Sequence, residues 1–327
     1  MQLKGKGMEQ QTCPMIEVRG LVKRFGAVEA VRGISFTVGE GEIVGFLGPN
    51  GAGKSTTMNI LTGYISATEG SVSIGGHDIL KQPNEAKRLL GFLPEQPPLY
   101  MEMTVEEYLR FVCKIKRTSP PYEPQIALAC EKVGLSAMRH RMIRNLSKGY
   151  RQRTGIAQAL IGEPKVVILD EPTVGLDPIQ IVEIRSVIRG LKESCTVILS
   201  SHILPEIQAV CERVLMINEG KIVADGTVQS LSGTLTGHSA VVVRAVGDPK
   251  VVLPCLNAAR GVCSVTQLPT GEEGACDYLV QAHPNTDIRG DVFTALASNG
   301  LTALTLKPSG EELEDLFLRL TTKEELT

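Results

Sequence analysis

The sequence predicts an α/β fold that carries an inserted helical block and is followed by a smaller α+β module. Two apolar runs without alternation, IVGFL and VVILD, are typical of central strands that are covered on both faces. Between about residues 16 and 230, strand-like runs alternate with segments of helical periodicity. The pattern then changes, and a second series of strands and helices begins. A chain of 327 residues is long enough for two such domains.

The first predicted domain spans residues 15–232. Its strands are predicted at Ile16–Leu21, Ile34–Val38, Ile43–Leu47, Val72–Ile74, Val166–Leu169, Val197–Ser200 and Val214–Ile217. Its helices are predicted at 54–63, 104–116, 125–133, 148–161, 178–192 and 205–211. Residues 104–160 are mostly helical and lie between strand-rich stretches. We therefore predict a helical subdomain inserted into the α/β core.

The second predicted domain spans residues 233–327 and begins at a linker-like segment, SLSGTLTGHS. Its strands and helices follow the order βαββαβ, which predicts a ferredoxin-like module. The elements are predicted at Ala240–Ala245, 249–260, Val262–Leu268, Asp277–Ala282, 287–299 and Leu301–Leu306, with a last helix at 310–321. At the other end of the chain, residues 1–14 lack an apolar run and predict a disordered tail rather than a signal peptide.

The bulk composition excludes several classes of protein. A net charge of −2 gives no broad basic surface for non-specific nucleic-acid binding, so we expect no nucleic-acid partner. None of the 8 cysteines forms a Cys-x-x-Cys pair, which argues against a zinc site. No stretch approaches the roughly 20 apolar residues that span a bilayer. We therefore expect a cytosolic protein that serves a membrane, if at all, by docking.

The strongest motif is GPNGAGKS at 48–55, which matches G-x-x-x-x-G-K-[ST] in full. A buried strand precedes it and a helix follows it, as a phosphate-binding loop requires. Glycines allow the backbone to wrap round phosphates, and the loop amides and helix N-terminus then face them. Lys54 can bridge the β- and γ-phosphates, and the Ser55 hydroxyl can ligate Mg²⁺. The predicted nucleotide-binding residues of this segment are Gly48, Pro49, Asn50, Gly51, Ala52, Gly53, Lys54, Ser55 and Thr56.

A second motif, VVILDEP at 166–172, is an apolar strand that ends in two carboxylates. Asp170 is suited to hold Mg²⁺, and Glu171 can polarise an attacking water as a general base. Many strands end in acidic turns, so this pattern gains its meaning from the phosphate-binding loop upstream.

Two weaker signals complete the set. Ser147 in LSKGYRQR is a good N-cap, which would leave an anion site at the start of a helix. By itself, this segment is more typical of an ordinary capped surface helix than of an anion site. His202 follows a strand in LSSH, and a lone histidine is usually structural.

In this order, the motifs resemble the nucleotide-binding domain of ABC transporters over residues 16–230. The resemblance implies a P-loop NTPase core with an inserted helical subdomain. It makes 48–55 the Walker A loop, 166–171 Walker B, 146–150 the signature usually written LSGGQ, and 175–177 the D-loop. It also implies that His202 contacts the γ-phosphate and that Phe25 stacks on adenine.

The sequence departs from the family pattern at two motifs. The signature has Lys148 in place of a glycine and Tyr150 in place of a glutamine, although Ser147 and Gly149, which would contact phosphate, remain. At the Q-loop, Glu95 stands where most relatives have glutamine, so Glu95 or Gln96 could take the metal- and water-facing role. These variants, with LEDLFL at 313–318, resemble a bacterial branch of drug or lipid exporters and gliding-motility ATPases.

The resemblance implies an ATPase that uses ATP and Mg²⁺ and drives a separate integral-membrane permease, in the direction of export. Two ATPase domains would meet head to tail, either as a homodimer or with a similar subunit, at the inner face of the cell membrane. Two other functions remain open on the sequence. One is a soluble ABC ATPase of translation or DNA repair, and the other is an ATPase switch whose C-terminal module senses a ligand.

Overall fold

The computed structural model describes residues 14–228, 230–231, 240–268, 274–283 and 286–308. The predicted tail (except Pro14), most of the predicted linker and the helix predicted at 310–321 lie outside the described residues. The chain divides into two compact units, Met1–Gly226 and Thr227–Thr327.

Two sheets organise the first unit. Its strands are β1 (Ile16–Phe25), β2 (Val28–Val38), β3 (Ile43–Leu47), β4 (Glu69–Ile74), β5 (His77–Asp78), β6 (Leu90–Leu93), β7 (Val166–Asp170), β8 (Thr196–Ser201), β9 (Arg213–Asn218) and β10 (Lys221–Thr227). One sheet has the order β2-β1-β4-β5 with antiparallel neighbours. The other has the order β10-β9-β3-β8-β7-β6, and the pairs among β9, β3, β8, β7 and β6 are parallel.

The parallel sheet places the phosphate-loop strand beside the two strands that carry the other predicted catalytic residues. Every residue of β3, β7 and β8 is buried, which explains why these runs show no alternation of apolar and polar residues. In the register, Asp170 at the end of β7 pairs with Ser200 of β8, and Leu47 at the end of β3 pairs with Ser201. The carboxyl ends of the three strands therefore meet at one edge, where α/β sheets bind ligands.

Helices flank the sheets and form the inserted block. They are α1 (Lys54–Leu61), α2 (Pro83–Arg88), α3 (Val105–Lys116), α4 (Tyr122–Lys132), α5 (Lys148–Leu160), α6 (Pro178–Leu191) and α7 (Leu204–Val210). Helix α3 begins with a capping box, in which Thr104 accepts from the Glu107 amide and the Glu107 carboxylate accepts from the Thr104 amide. Helices α3, α4 and α5 follow one another between β6 and β7, as the sequence predicts. Strands β5, β6 and β10 and helix α2 have no counterpart among the predicted elements.

The second unit is built around one antiparallel sheet. Its elements are β11 (Ala240–Val246), α8 (Pro249–Asn257), β12 (Val262–Leu268), β13 (Ala275–Ala282), α9 (Arg289–Ser298) and β14 (Thr302–Pro308). The sheet order is β12-β13-β11-β14. The element order is the predicted βαββαβ. A separate apolar core, which includes Val243, Tyr278 and Leu296, lies between this sheet and its two helices.

Candidate functional site

A cavity of about 440 Å³ opens at the carboxyl edge of the parallel sheet. Its lining comes from the phosphate loop, the start of α1 and the ends of β7 and β8, with contributions from β2 and from the loop after β6. The lining residues are Ala30, Asn50, Gly51, Gly53, Lys54, Ser55, Thr56, Glu95, Glu171, Val174 and His202. Six residues predicted between positions 48 and 56, together with Glu95, Glu171 and His202, thus line one cavity.

The loop that starts α1 can be built only with glycine at two positions. Gly53 has φ of 105°, and a Cβ on it would lie 2.6 Å from the carbonyl oxygen of Ala30. A Cβ on Gly48 would lie 2.3 Å from the carbonyl oxygen of Ile217. No side chain among the described residues caps α1 at Gly53, so the first amides of the helix remain available to an anion.

Lys54 is the cation of the cavity, and its side chain is 5% exposed. Its ammonium donates to the carbonyl oxygens of Gly48 and Pro49, at 2.8 and 3.1 Å. The same ammonium lies 3.5 Å from Oε1 of Glu171. These contacts hold the positive charge beside the helix N-terminus, where it adds to the attraction for phosphate.

Asp170 and Ser55 lie together beneath the cavity. The Ser55 hydroxyl donates to Oδ1 of Asp170 at 3.3 Å, and the Ser200 hydroxyl donates to the same oxygen at 2.5 Å. Asp170 is buried, so these donors stabilise its carboxylate. A carboxylate and a hydroxyl oxygen are hard ligands of the type that Mg²⁺ prefers, and Mg²⁺ usually takes its other ligands from water and phosphate. The donor set therefore fits a magnesium ion that accompanies a nucleotide.

Glu171, which follows β7, contacts Lys54 of the phosphate loop and His202, which follows β8. The two oxygens of its carboxylate lie 3.0 and 3.1 Å from Nδ1 of His202. Its backbone amide donates to Ser200 at 2.9 Å. Glu171 also has φ of 48°, which is uncommon for a residue other than glycine and is typical of functional sites.

The structure separates the two candidates of the Q-loop. Both residues are exposed, but Glu95 lines the cavity and Gln96 is not part of the lining. This arrangement favours Glu95 for a role toward metal and water.

The N-terminus of α5 lies apart from the cavity lining. Ser147 is exposed and accepts from the Tyr150 amide at 3.4 Å, as an N-cap does. Gly149 is buried, and a Cβ on it would lie 2.8 Å from the Gln180 side chain of α6. The predicted anion-binding residues at this helix therefore do not share the cavity with Lys54.

Phe25 also lies outside the cavity lining. It ends β1 at a hairpin, is 51% exposed, and has the Lys23 ammonium 5.0 Å from its ring centroid. The ring is thus exposed, and its described contact is with the Lys23 ammonium.

A family model described as ABC transporter matches residues 31–174. The linearmycin resistance ATP-binding protein LnrL of Bacillus subtilis is 31% identical over 309 residues, which cover 94% of this chain and 98% of LnrL. The chain belongs to the ABC transporter ATP-binding proteins. The bacitracin transport ATP-binding protein BcrA of Bacillus licheniformis is also 31% identical, over 308 residues that cover 94% of this chain and 97% of BcrA.

Solved ABC cassettes share the fold of the first unit. An ATP-binding subunit of an ABC transporter has a TM-score of 0.60 and 30% identity, and the match covers 67% of this chain and 92% of that one. A dimeric cassette in a post-hydrolysis state, bound to ADP and phosphate, has a TM-score of 0.59 and 25% identity, with 65% and 98% covered. The chain is thus an ATP-binding, ATP-hydrolysing subunit of an ABC transporter, and its P-loop NTPase fold was predicted correctly.

Sequence reasoning missed three residues that shape the site of this ABC protein. Ser200 accepts from the Glu171 amide and donates to Asp170, so it fixes both acidic residues. Ala30 and Val174 line the cavity. The sequence signal for Ser200 was its place at the end of a buried strand next to β7, where a polar residue needs a partner.

Among the residues that the structure describes, no helix is long and apolar enough to cross a membrane.

Proposed function

We propose that this subunit hydrolyses Mg·ATP at the interface of two cassettes, and that the cycle drives export through a separate membrane permease. The observation that carries the catalytic part is the position of Glu171. Within one cavity, its carboxylate lies 3.5 Å from the Lys54 ammonium and 3.0 Å from Nδ1 of His202. A base, a phosphate-binding cation and an imidazole thus line the same cavity as the loop that starts α1.

Each side chain then has a role that its position supports. Lys54 and the α1 amides bind the β- and γ-phosphates. Glu171 accepts a proton from the attacking water, and His202 contacts the γ-phosphate. Phe25 stacks on the adenine.

Ser55, Asp170 and Glu95 are the residues that would hold Mg²⁺. The ion would neutralise charge on the phosphates. Asp170 is already fixed for this role by its hydrogen bond from Ser200.

The second half of the site comes from another cassette. Ser147 is exposed at the N-terminus of α5, outside the cavity of its own chain, which supports a contact of Ser147 and the adjacent Gly149 backbone with the ATP of a partner. The partner is a second copy of this chain or a similar subunit. Solved cassettes of this fold include a dimer bound to ADP and phosphate, which supports such an arrangement.

Glu171→Gln tests the catalytic assignment. Loss of the base should slow ATP hydrolysis by about 10²- to 10⁴-fold, while the uncharged amide leaves ATP binding intact. Gel filtration with ATP should then show a stable dimer of the variant. Hydrolysis by Glu171→Gln at the wild-type rate would show that Glu171 is not the base.

A second cavity supports docking of a membrane permease. This groove, of about 570 Å³, lies between the core and the helical block and has a largely apolar lining. Tyr64, Tyr100 and Ile115 line it and are 79%, 52% and 64% exposed. Exposed aromatic and aliphatic side chains around a groove are typical of a protein contact. The Tyr100 ring is held in place by an edge contact with Phe111, at a centroid distance of 5.2 Å.

The groove is connected to the signature helix α5. Lys116 lines the groove and donates to the carbonyl oxygens of Ala159 and Ile161, at 3.1 and 2.8 Å, where α5 ends. Burial lowers the pKa of Lys116 to about 8. Ser147 caps the other end of the same helix. A movement of α5 on ATP binding would therefore reach the groove, as coupling to a permease requires.

The direction and place of transport rest on relatives. The names of LnrL and BcrA refer to linearmycin resistance and bacitracin transport, and SrtF of Streptococcus pyogenes, 38% identical over 212 residues, is a lantibiotic transport ATP-binding protein. We propose by analogy that this protein powers export and lies at the inner face of the cell membrane.

The docking proposal is tested by the double variant Tyr100→Glu and Met101→Glu. A carboxylate in the groove at position 100 and a second one at the adjacent, exposed position 101 should abolish co-purification with the permease and transport. The ATPase activity of the isolated subunit should stay within about twofold of wild type. Leu128→Glu on α4 is the matched control, since Leu128 is 39% exposed and Met101 is 40% exposed. A double variant that still assembles with its permease would place the docking surface elsewhere.

A further inference from the structure

We infer that Glu206, at the start of α7, is a positioning residue that holds Glu171 and His202 in register with each other. Glu206 lies outside the cavity lining and touches neither residue directly. Its carboxylate instead joins the two backbone segments from which Glu171 and His202 project. The inference rests on the proposed roles of those two residues.

One side of the connection leads to Glu171. The Thr173 hydroxyl donates to Oε2 of Glu206, and Thr173 lies two residues beyond Glu171 in the turn that follows β7. Thr173 and Glu206 are 4% and 5% exposed, so water does not compete for this hydrogen bond. Glu171 itself has φ of 48°, a conformation that persists only where surrounding contacts hold the turn.

The other side leads to His202. The Ser201 hydroxyl donates to the same Oε2 of Glu206 at 3.1 Å. That hydroxyl also accepts from the Ile203 amide at 3.0 Å, so the residues on both sides of His202 are bound through it. The carbonyl oxygen of Ser201 accepts from the Gly48 amide at 3.3 Å, which extends the connection to the first residue of the phosphate loop.

The chemistry of the network explains why a side chain with a hydrogen-bond acceptor occupies this position. A buried carboxylate is costly unless donors satisfy it, and Thr173 and Ser201 each supply a hydroxyl hydrogen. One oxygen that accepts from both hydroxyls fixes the distance between the two turns. Glu171 and His202 approach to 3.0 Å across that same gap. A glutamine could accept the same two bonds through its carbonyl oxygen, whereas an alanine could accept neither.

The test compares Glu206→Ala, Glu206→Gln and Glu212→Ala in the full chain. Loss of the network should lower kcat by about 10- to 100-fold in Glu206→Ala, since small misplacements of catalytic groups have effects of this size. The affinity for a fluorescent ATP analogue should stay within about threefold of wild type, because Lys54 and the loop amides are untouched. Glu206→Gln should recover most of the lost kcat. Glu212→Ala, which removes an exposed glutamate paired with Lys192, should match wild type.

The rescue and the split between kcat and affinity separate positioning from general destabilisation. Wild-type kcat in Glu206→Ala, or equal loss in the alanine and glutamine variants, would overturn the inference. If Glu206→Ala does not fold, Ser201→Ala and Thr173→Val replace it, because each removes one donor of the network. Each should lower kcat and leave the ATP affinity unchanged. Wild-type kcat in both variants would equally overturn the inference. Glu171→Gln measured alongside distinguishes the two proposals. If it abolishes hydrolysis while the Glu206 variants remain active, the proposed function stands and only the positioning role fails.

Discussion

The N-termini of α1 and α5 are both suited to bind anions, yet the chain prepares them in different ways. Helix α1 begins at a glycine without a side-chain cap, and a buried lysine lies beside it. Helix α5 begins at Ser147, whose own hydroxyl accepts from an amide of the first turn, and this end is exposed. At the first end, the residues that we propose for binding phosphate and metal come from a single chain. At the second end, we propose that Ser147 acts on the ATP of a partner.

The largest effect that separates the two helix ends is expected from Lys54→Ala. This change removes the only cation of the cavity lining at α1, and transition-state donors of this kind contribute about 10²- to 10³-fold to kcat. ATP affinity should fall as well, by roughly 10- to 100-fold, because a charge-assisted hydrogen bond to phosphate is lost. Both quantities can be measured on the isolated subunit. Unchanged ATP affinity would show that the α1 amides alone hold the phosphates.

Ser147→Ala tests the other helix end. If Ser147 meets the ATP of a partner, the variant should bind ATP as a monomer with normal affinity but form the ATP-bound dimer about tenfold less readily. The dimer is measured by gel filtration in the Glu171→Gln background.

Thr104→Ala is the matched control for this variant. Thr104 caps α3 as Ser147 caps α5, so either change should lower the free energy of unfolding by about 1 kcal/mol. Only Ser147→Ala should impair the dimer. Equal dimerisation of the two variants would mean that Ser147 is only a helix cap.

The two helix ends also show what the sequence could predict. The GPNGAGKS loop has a fixed spacing of glycines that few other structures need. The sequence alone therefore predicted that the loop joins a strand to a helix, as it joins β3 to α1 in the structure. LSKGYRQR has the local form of any capped helix, and its meaning came only from the order of motifs. Strands β6 and β10 were not predicted. The first has four residues and includes Gly91, and the second alternates exposed and half-buried residues that include charges.

Long-range contacts lay beyond the reach of pattern reasoning. Asp170 and Ser200 are 30 residues apart, and Thr173 and Glu206 are 33 residues apart. These pairs exist because β7 and β8 are parallel neighbours in the sheet. Local periodicity predicts the strands but not their order, so it could not show that Ser200 fixes Asp170 or that Glu206 joins two turns.

A smaller effect is expected from a change at Glu95, which lines the cavity at α1. Glu95→Ala should lower turnover by about threefold to tenfold, because the variant loses a cavity-lining carboxylate for which we propose a role toward metal and water. Gln96→Ala is the matched control, since Gln96 is the adjacent residue and is exposed outside the lining. ATPase rates across a range of Mg²⁺ concentrations should differ from wild type for Glu95→Ala alone. The reverse ranking would assign the Q-loop role to Gln96.

The smallest effect is expected when the second unit is removed. A protein that ends at residue 231 should keep its ATP affinity and most of its basal ATPase activity, because every residue of the cavity lining belongs to the first unit. The second unit also has its own apolar core, which includes Val243, Tyr278 and Leu296, so the first unit does not depend on it for a core. We propose that this unit contributes to dimerisation or regulation, and the truncated protein should then differ from wild type in ATP-dependent dimer formation. Loss of ATP binding in a folded truncated protein, checked by circular dichroism, would contradict the view that the α1 site is complete without it.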